Sequence, residues 1–155
     1  MTARALFLDV WVASIRLRTS RESLALIEER ARAIASPQLF AGKSGHRGDQ
    51  MLGRVAPLIE RGRQLRTDIE DAQRTIDRAC LLLFGPTGRE GLHSLVPMSA
   101  RALWWRYCYG EAYRCVGVRL GIGTCEAMAA AHAGLDLIDS LGVRGVALGI
   151  GTATD

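Results

Sequence analysis

The side chains best suited to catalysis or metal binding are few in this sequence and widely separated. The three histidines are His46, His93 and His132, and none lies at metal-ligand spacing from a cysteine or a carboxylate. Cys125 and His132 are seven residues apart, too far along one helix to share a metal without ligands from elsewhere. No Ser/His/Asp or Cys/His order typical of nucleophilic catalysis stands out. We therefore expect no metal site, no cofactor and no enzymatic activity.

Two glycine-containing segments could in principle hold a phosphate group. The FAGKS segment at residues 40–44 resembles the end of a P-loop, but the first glycine of that pattern would fall at Pro37 and no strand precedes it. The GPTGREG segment at residues 85–91 lacks both the lysine and the strand. We reject a P-loop in the first segment and interpret the second as part of a hinge.

Arginine dominates the charged residues. The chain of 155 residues has 20 Lys and Arg against 16 Asp and Glu, a net charge of +4 and a sequence pI near 9.2, and Lys43 is the single lysine. Arginine binds phosphates, but it also pairs with carboxylates and stacks on aromatic rings. Arg101, Arg106, Arg114 and Arg119 are therefore candidate phosphate contacts or ion-pair partners of nearby acids, and both interpretations stay open. Those acids are Glu111, Glu126, Asp136 and Asp139.

Five of the nine aromatic residues fall between positions 104 and 113. They are Trp104, Trp105, Tyr107, Tyr109 and Tyr113. Such a cluster could stack nucleic-acid bases, but a small helical core or an interface is the more common role. Since adjacent tryptophans cannot both face one core, we expect one of Trp104 and Trp105 to pack on the preceding helices or on a partner.

Apolar residues recur every three or four positions through the first half of the chain. The first series is Leu6, Val10, Ala13, Leu17, Ser20, Leu24, Ile27, Ala31 and Ile34. The second is Met51, Val55, Leu58, Gly62, Leu65, Ile69, Ala72, Ile76, Ala79 and Leu83. This heptad spacing predicts two long helices with a coiled-coil seam.

The Gly-, Ser- and Pro-rich segment 36–49 between the two series predicts a loop, so the helices should form an antiparallel hairpin. Reversed alignment places Gly62 opposite Leu24 and Ser20 near Leu65. These small side chains weaken the middle of the seam, which a partner or a second copy could fill. Pro57 predicts a kink or a delayed start of the second helix.

Three shorter helical patterns follow the glycine-rich break and predict a helix-turn-helix. Ser99 should cap the first helix, Gly110 should end it, and Gly121 should supply the positive φ of the tight turn. Gly117 supplies the small residue that is needed where the next helix approaches. The side chain of Ile122 should fill the space between the helices. Met128 and Leu135 are expected to continue the core face of the last helix.

The segment RYCYGEAYRCVGVRLGIGTCEAMAAAHAGLDLID, residues 106–139, is similar to the region-four-like helix-turn-helix of sigma factors. With the hairpin before it, the layout of residues 5–141 resembles the short phage-encoded regulators related to the ArpU and RinA late-gene activators. The resemblance implies an all-α fold, a phage or prophage origin, and control of phage transcription through DNA binding, with host RNA polymerase as a further partner. The candidate DNA contacts are Arg101, Arg106, Arg114, Arg119, Thr124 and His132.

The last helix nevertheless lacks the residues that read bases. From Thr124 to Ala133 it contains no Arg, Lys, Asn or Gln, and Gly123 stands where such families place a capping Ser. Residues 1–79 carry the whole net charge of +4, while residues 80–155 are neutral. The alternative function is therefore a protein-interaction module or inhibitor of a host transcription or defence protein. A third possibility is nonspecific nucleic-acid binding by the hairpin, through Arg61, Arg63 and Arg66.

These patterns predict an all-α protein with four parts: a hairpin over residues 1–84, a hinge over 85–98, a helix-turn-helix domain over 99–142 and a Gly-rich tail over 143–155. Trp104, Trp105 and the three hairpin arginines are the candidate partner interface, and the hairpin could form a homodimer. Apolar runs such as 80–84 are too short for a transmembrane helix, and no signal peptide is evident. We expect a cytoplasmic protein without membrane contacts, whose four cysteines are reduced.

Overall fold

The computed structural model describes residues 1–35 and 47–148, and over these ranges the chain is helical with no β-strand. The predicted all-α class is confirmed. The helices are α1 (Ala3–Ala35), α2 (Arg47–Phe84), α3 (Leu92–Leu95), α4 (Pro97–Leu103), a π-helical turn (Trp104–Cys108), α5 (Tyr113–Leu120) and α6 (Thr124–Ala147). No helix among these is long and apolar enough to cross a membrane.

The two long helices pack against each other along the predicted seam. Every heptad position whose side chain is described is buried or half-buried. A Cβ atom placed on Gly62 would lie 3.7 Å from Cδ1 of Leu24, so the predicted register is confirmed. Arg16 pairs with Asp68 at 3.1 Å, farther from the tip of the hairpin. Because the residue number rises in α2 as it falls in α1, the helices are antiparallel.

The chain divides into two compact units whose boundaries lie inside α1 and α2. One unit comprises Met1–Ile15 and Ala72–Asp155, and the other comprises Arg16–Asp71. In the first unit Phe7 and Leu83 are completely buried. Phe7 lies outside the heptad series and contacts the ring of Tyr107, with ring centroids 5.5 Å apart. The first part of α1 and the last part of α2 thus share a core with the short helices. For this reason the division between the units differs from the domain boundary at residue 84 that the sequence predicts.

The start of α2 and the start of α4 differ from the expectations. Helix α2 begins at Arg47 and includes Pro57, so Pro57 does not delay it. Residues 47–49 of the predicted loop are therefore helical, and its residues 36–46, with the rejected FAGKS segment, lie outside the described residues. Ser99 does not cap a helix: α4 begins at Pro97, and Ser99 is buried in its interior. Proline suits the first helical turn, where its missing N–H has no intrahelical partner.

The predicted hinge and tail are both partly helical. Segment 85–98 contains α3, and Leu92 is completely buried. A Cβ on Gly91 would lie within 2.4 Å of the carbonyl oxygen of Leu82, so this connection packs tightly on α2. At the other end, Gly142 interrupts α6 with φ 74° and ψ 155°, as the expected break, but residues 143–147 are helical again and Val146 is buried. Tail residues 149–155 lie outside the described part of the chain.

Candidate nucleic-acid interface

The turn between α5 and α6 has the backbone geometry that the sequence predicts. Gly121 ends α5 with φ 70° and ψ 30°, the left-handed region that favours glycine. The N–H of Ile122 donates to the carbonyl of Gly117 at 2.9 Å. A Cβ on Gly117 would lie 2.8 Å from the carbonyl oxygen of Ile122, so glycine is needed where the turn folds back over α5. The half-buried Ile122 then leads the chain through Gly123 into α6.

The buried face of α6 consists mainly of small residues. Ala127 and Ala131 are completely buried, and they are followed by Gly134, Leu135 and Ile138. A Cβ on Gly134 would lie 2.9 Å from Cδ1 of Leu103, which shows how closely α4 approaches α6.

The core prediction for α6 is right at Leu135 and wrong at Met128. The side chain of Met128 is 40% exposed. The sequence misplaced Met128 because the buried face of α6 is formed largely by alanine and glycine. These residues are only weakly hydrophobic and do not mark a core face in a sequence pattern. Met128 lies next to this face of the helix and faces solvent.

The beginning of α6 carries a carboxylate instead of a free anion site. Oε2 of Glu126 accepts a hydrogen bond from the N–H of Gly123 at 2.9 Å. A negative side chain at a helix N-terminus is stabilising, because it faces the positive end of the helix dipole. The same carboxylate opposes a DNA phosphate approaching this end of the helix. Thr124, a candidate DNA contact, is exposed beside it.

Arg106 lies in a cage of aromatic rings. Its guanidinium carbon is 5.0 Å from the ring centre of Tyr113, 5.6 Å from that of Trp11 and 5.8 Å from that of Tyr107. Nη1 donates to the carbonyl of Glu111 at 3.0 Å, while Nε is buried without a hydrogen-bond partner among the described residues. These contacts engage the guanidinium in joining α1, the π-helical turn and α5.

Arg119 forms an ion pair with Glu111. Its Nε donates to both carboxylate oxygens of Glu111 at 2.8 Å, and Nη2 lies 2.6 Å from Oε1. The guanidinium carbon also lies 4.1 Å from the ring centre of Trp105 and 5.8 Å from that of Tyr109. Hydrogen bonding to Glu111 raises the pKa of Arg119 above its usual value. Of the two interpretations of Arg119, phosphate contact or ion pair, the structure thus contains the ion pair, with Glu111 as the carboxylate.

Arg101, Arg114 and His132 remain available at the surface. All three side chains are exposed, and neither arginine forms a hydrogen bond or ion pair with a described residue. The ring of His132 lies 6.5 Å from that of Tyr113. Of the four arginines predicted near the helix-turn-helix, Arg101 and Arg114 are thus the two whose guanidinium groups have no partner within residues 1–35 and 47–148.

The two adjacent tryptophans lie in the π-helical turn and contact each other. Their ring centroids are 4.5 Å apart in an edge-to-face arrangement. Trp104 also packs on Phe84 at the end of α2, with centroids 6.4 Å apart, while Trp105 contacts Tyr109 at 5.1 Å. Trp104 therefore packs on the end of the second long helix, which is one of the two placements expected for one tryptophan. Tyr109 is 58% exposed at the edge of this cluster.

The three hairpin arginines lie in the other compact unit, and all are exposed. Arg63 pairs with Glu60 one helical turn earlier, and Arg66 pairs with Glu28 of α1 at 3.1 Å. Arg61 has no ion-pair partner among the described residues. Exposed pairs of this kind contribute only about 0–1 kcal/mol each, so they do not prevent these arginines from meeting a phosphate.

Comparison of the chain with protein-family models, with curated proteins and with solved structures finds no match. In the described part of the chain, no three His, Cys, Asp or Glu side chains come close enough together to hold a metal ion.

Proposed function

We propose that this protein is a phage or prophage transcription regulator that binds DNA through α5, the Gly121 turn and α6. The observation that carries the proposal is the geometry of that turn, with glycine in the left-handed region at 121 and a backbone approach at 117 that admits only glycine. The resemblance of residues 106–139 to sigma-factor region four supports the same function. In helix-turn-helix proteins, the second helix of such a pair enters the major groove.

The exposed side chains of this surface favour contacts to the DNA backbone over contacts to bases. Arg101 and Arg114 are free to bind phosphates, and Thr124 lies at the end of α6 that would face the DNA. Phosphate contacts orient a protein on the duplex but carry little sequence information. Specific promoter selection then requires a second contact, for which host RNA polymerase bound by the hairpin is the partner that the resemblance implies.

The test is a binding titration with labelled duplexes covering the promoter regions of the genome that encodes the protein. We expect binding to these duplexes that weakens with added salt and that, for the protein alone, differs little from binding to a shuffled duplex of the same composition. Binding that is absent from all promoter duplexes would refute the proposal. Adding purified host RNA polymerase should increase the difference between promoter and shuffled duplex if the hairpin recruits it.

The second candidate function is a protein-interaction module, and the apolar outer surface of α5 and α6 favours it. Val118 is 79% exposed and Met128 is 40% exposed, and Ala129 and Ala133 are exposed nearby. Its test is co-elution with purified host RNA polymerase in the absence of DNA. Val118→Glu should abolish a complex formed through this surface. Val12→Glu is the matched control, because Val12 is a similarly exposed valine on α1.

A further inference from the structure

Cys80 and Cys108 come together at the junction between α2 and the π-helical turn. Phe84 of α2 packs on Trp104 of the turn. Cys80 lies four residues before Phe84, and Cys108 lies four residues after Trp104, which is about one helical turn in each case. Each cysteine thus lies about one turn from the contact between the two rings, and the two thiols are neighbours. Cys108 is buried, Cys80 is half-buried, and both are free thiols.

The two side chains interact directly. The Cys108 thiol and the indole N–H of Trp104 both lie where they can donate to a thiolate at Cys80. These hydrogen bonds stabilise the Cys80 thiolate and lower its pKa to about 7, against the opposing effects of burial and of Asp77. The hydrogen bond to Cys80 and burial raise the pKa of Cys108. The half-exposed member of the pair is thus the better nucleophile, because the thiolate is the reactive form.

We propose that Cys80 and Cys108 form a redox-modification site, at which a small disulfide such as oxidised glutathione converts the two thiols into an intramolecular disulfide. The Cys80 thiolate attacks one sulfur of the small disulfide, breaks its S–S bond and releases one thiolate. That thiolate takes the proton of Cys108. The Cys108 sulfur then attacks Cys80 in the mixed disulfide and releases the second small thiolate. Two protein thiols are oxidised, and one small disulfide is reduced to two thiols.

The other two cysteines provide an internal comparison. Cys115 and Cys125 are exposed on α5 and at the start of α6. An exposed cysteine without a neighbouring thiol stops at the mixed disulfide and gains the mass of the small thiol. A close pair releases that thiol again, because the second sulfur displaces it. The product therefore distinguishes a dithiol site from surface modification.

The experiment treats the full chain with excess oxidised glutathione, blocks remaining thiols with iodoacetamide, and measures intact mass and a peptide map without reduction. We expect a disulfide-linked peptide pair containing Cys80 and Cys108. These two cysteines should carry no alkyl group. The variant C115S/C125S should still lose the mass of two hydrogen atoms. In C80S or C108S the linked pair should be absent, and the remaining cysteine should carry a glutathione adduct or the alkyl group.

Three results would overturn the proposal. They are alkylation of Cys80 and Cys108 in the oxidised wild-type chain, glutathione adducts as the final product at these positions, or a disulfide that joins other cysteines. The wild-type peptide map decides between them even if C80S or C108S does not fold. A second measurement on the wild type is titration with phenylarsine oxide, a trivalent arsenical that binds paired thiols. One equivalent should protect both cysteines from alkylation and leave Cys115 and Cys125 reactive.

Discussion

If the protein binds DNA through its helix-turn-helix as proposed, removing Arg101 and Arg114 should nearly eliminate the salt dependence of that binding. In the structure, Arg101 and Arg114 are exposed without partners among the described residues, Arg106 is caged, and Arg119 is paired with Glu111. Each neutralised phosphate contributes about −0.9 to the slope of log K against log salt, so two arginines give a slope of about −1.8.

This slope translates into a modest loss of affinity. Raising the salt from about 50 to about 200 mM should weaken binding by about 12-fold in the wild type and by about 3.5-fold in the R114A variant. In R101A/R114A the affinity should hardly change over the same range. A protein making about six to ten phosphate contacts would instead lose about 10³- to 10⁵-fold.

Fluorescence anisotropy with a labelled promoter duplex at three salt concentrations measures these slopes. The matched control is R61A/R63A, which removes two exposed arginines from the other compact unit. This control should keep the wild-type slope. If R61A/R63A flattens the slope while R101A/R114A leaves it unchanged, the hairpin holds the DNA and the proposed orientation is refuted. A wild-type slope steeper than about −4 would equally contradict the count of two contacts.

Three further predictions concern Glu111, Gly117 and Tyr107. Glu111→Gln should release Arg119 for a phosphate and make the salt slope more negative by about 0.9; an unchanged slope would show that Arg119 does not reach DNA. Gly117→Ala should destabilise the fold by about 1–3 kcal/mol in urea unfolding, because its Cβ meets the carbonyl of Ile122. Gly53→Ala, on an open helix face, should instead stabilise by about 0.5–1 kcal/mol. If both glycine variants behave alike, the close approach at Gly117 is not what matters.

The third of these predictions concerns the stability of the protein at alkaline pH. Burial and a hydrogen bond with Tyr113 raise the pKa of Tyr107 to about 12, against smaller opposing effects of Arg106 and Arg4. Since the unfolded pKa is about 10, the resulting stability is present below pH 10 and is lost as the pH rises toward 12. From pH 9 to pH 11 the wild type should lose about 1 kcal/mol more than Tyr107→Phe. Equal losses in the two proteins would contradict the assigned burial of this hydroxyl.

Features that depend on helical periodicity could be predicted from the sequence. The heptad series predicted both long helices and the position of Gly62 opposite Leu24, because the spacing of apolar residues sets which side chains face a seam. Gly121 was predictable as the turn residue for a similar reason, since a tight turn needs positive φ. These rules act over a few residues and need no knowledge of the tertiary contacts.

The partner of each arginine side chain could not be predicted from such local rules. Arg106 enters an aromatic cage that includes Trp11, a residue of α1 that is far away in the sequence. Arg119 finds its carboxylate on Glu111, in the turn before α5. Such partners are set by long-range packing. The contact between Cys80 and Cys108 was missed for the same reason, although the aromatic pair Phe84 and Trp104 beside them was a usable signal.

The π-helical turn explains why the sequence predicted the aromatic cluster but not the contact between Trp104 and Trp105. A π-helical turn holds more residues than the 3.6 of an α-helix, so consecutive side chains point in directions closer together. Trp104 and Trp105 can then contact each other, with Trp104 on Phe84 and Trp105 under Arg119. If this turn were α-helical, Trp105 would point farther from Trp104, and Arg119 would lose the contact between its guanidinium and the Trp105 ring. The π-helical turn thus helps to hold Arg119 in its pair with Glu111, because it places the ring of Trp105 against the guanidinium.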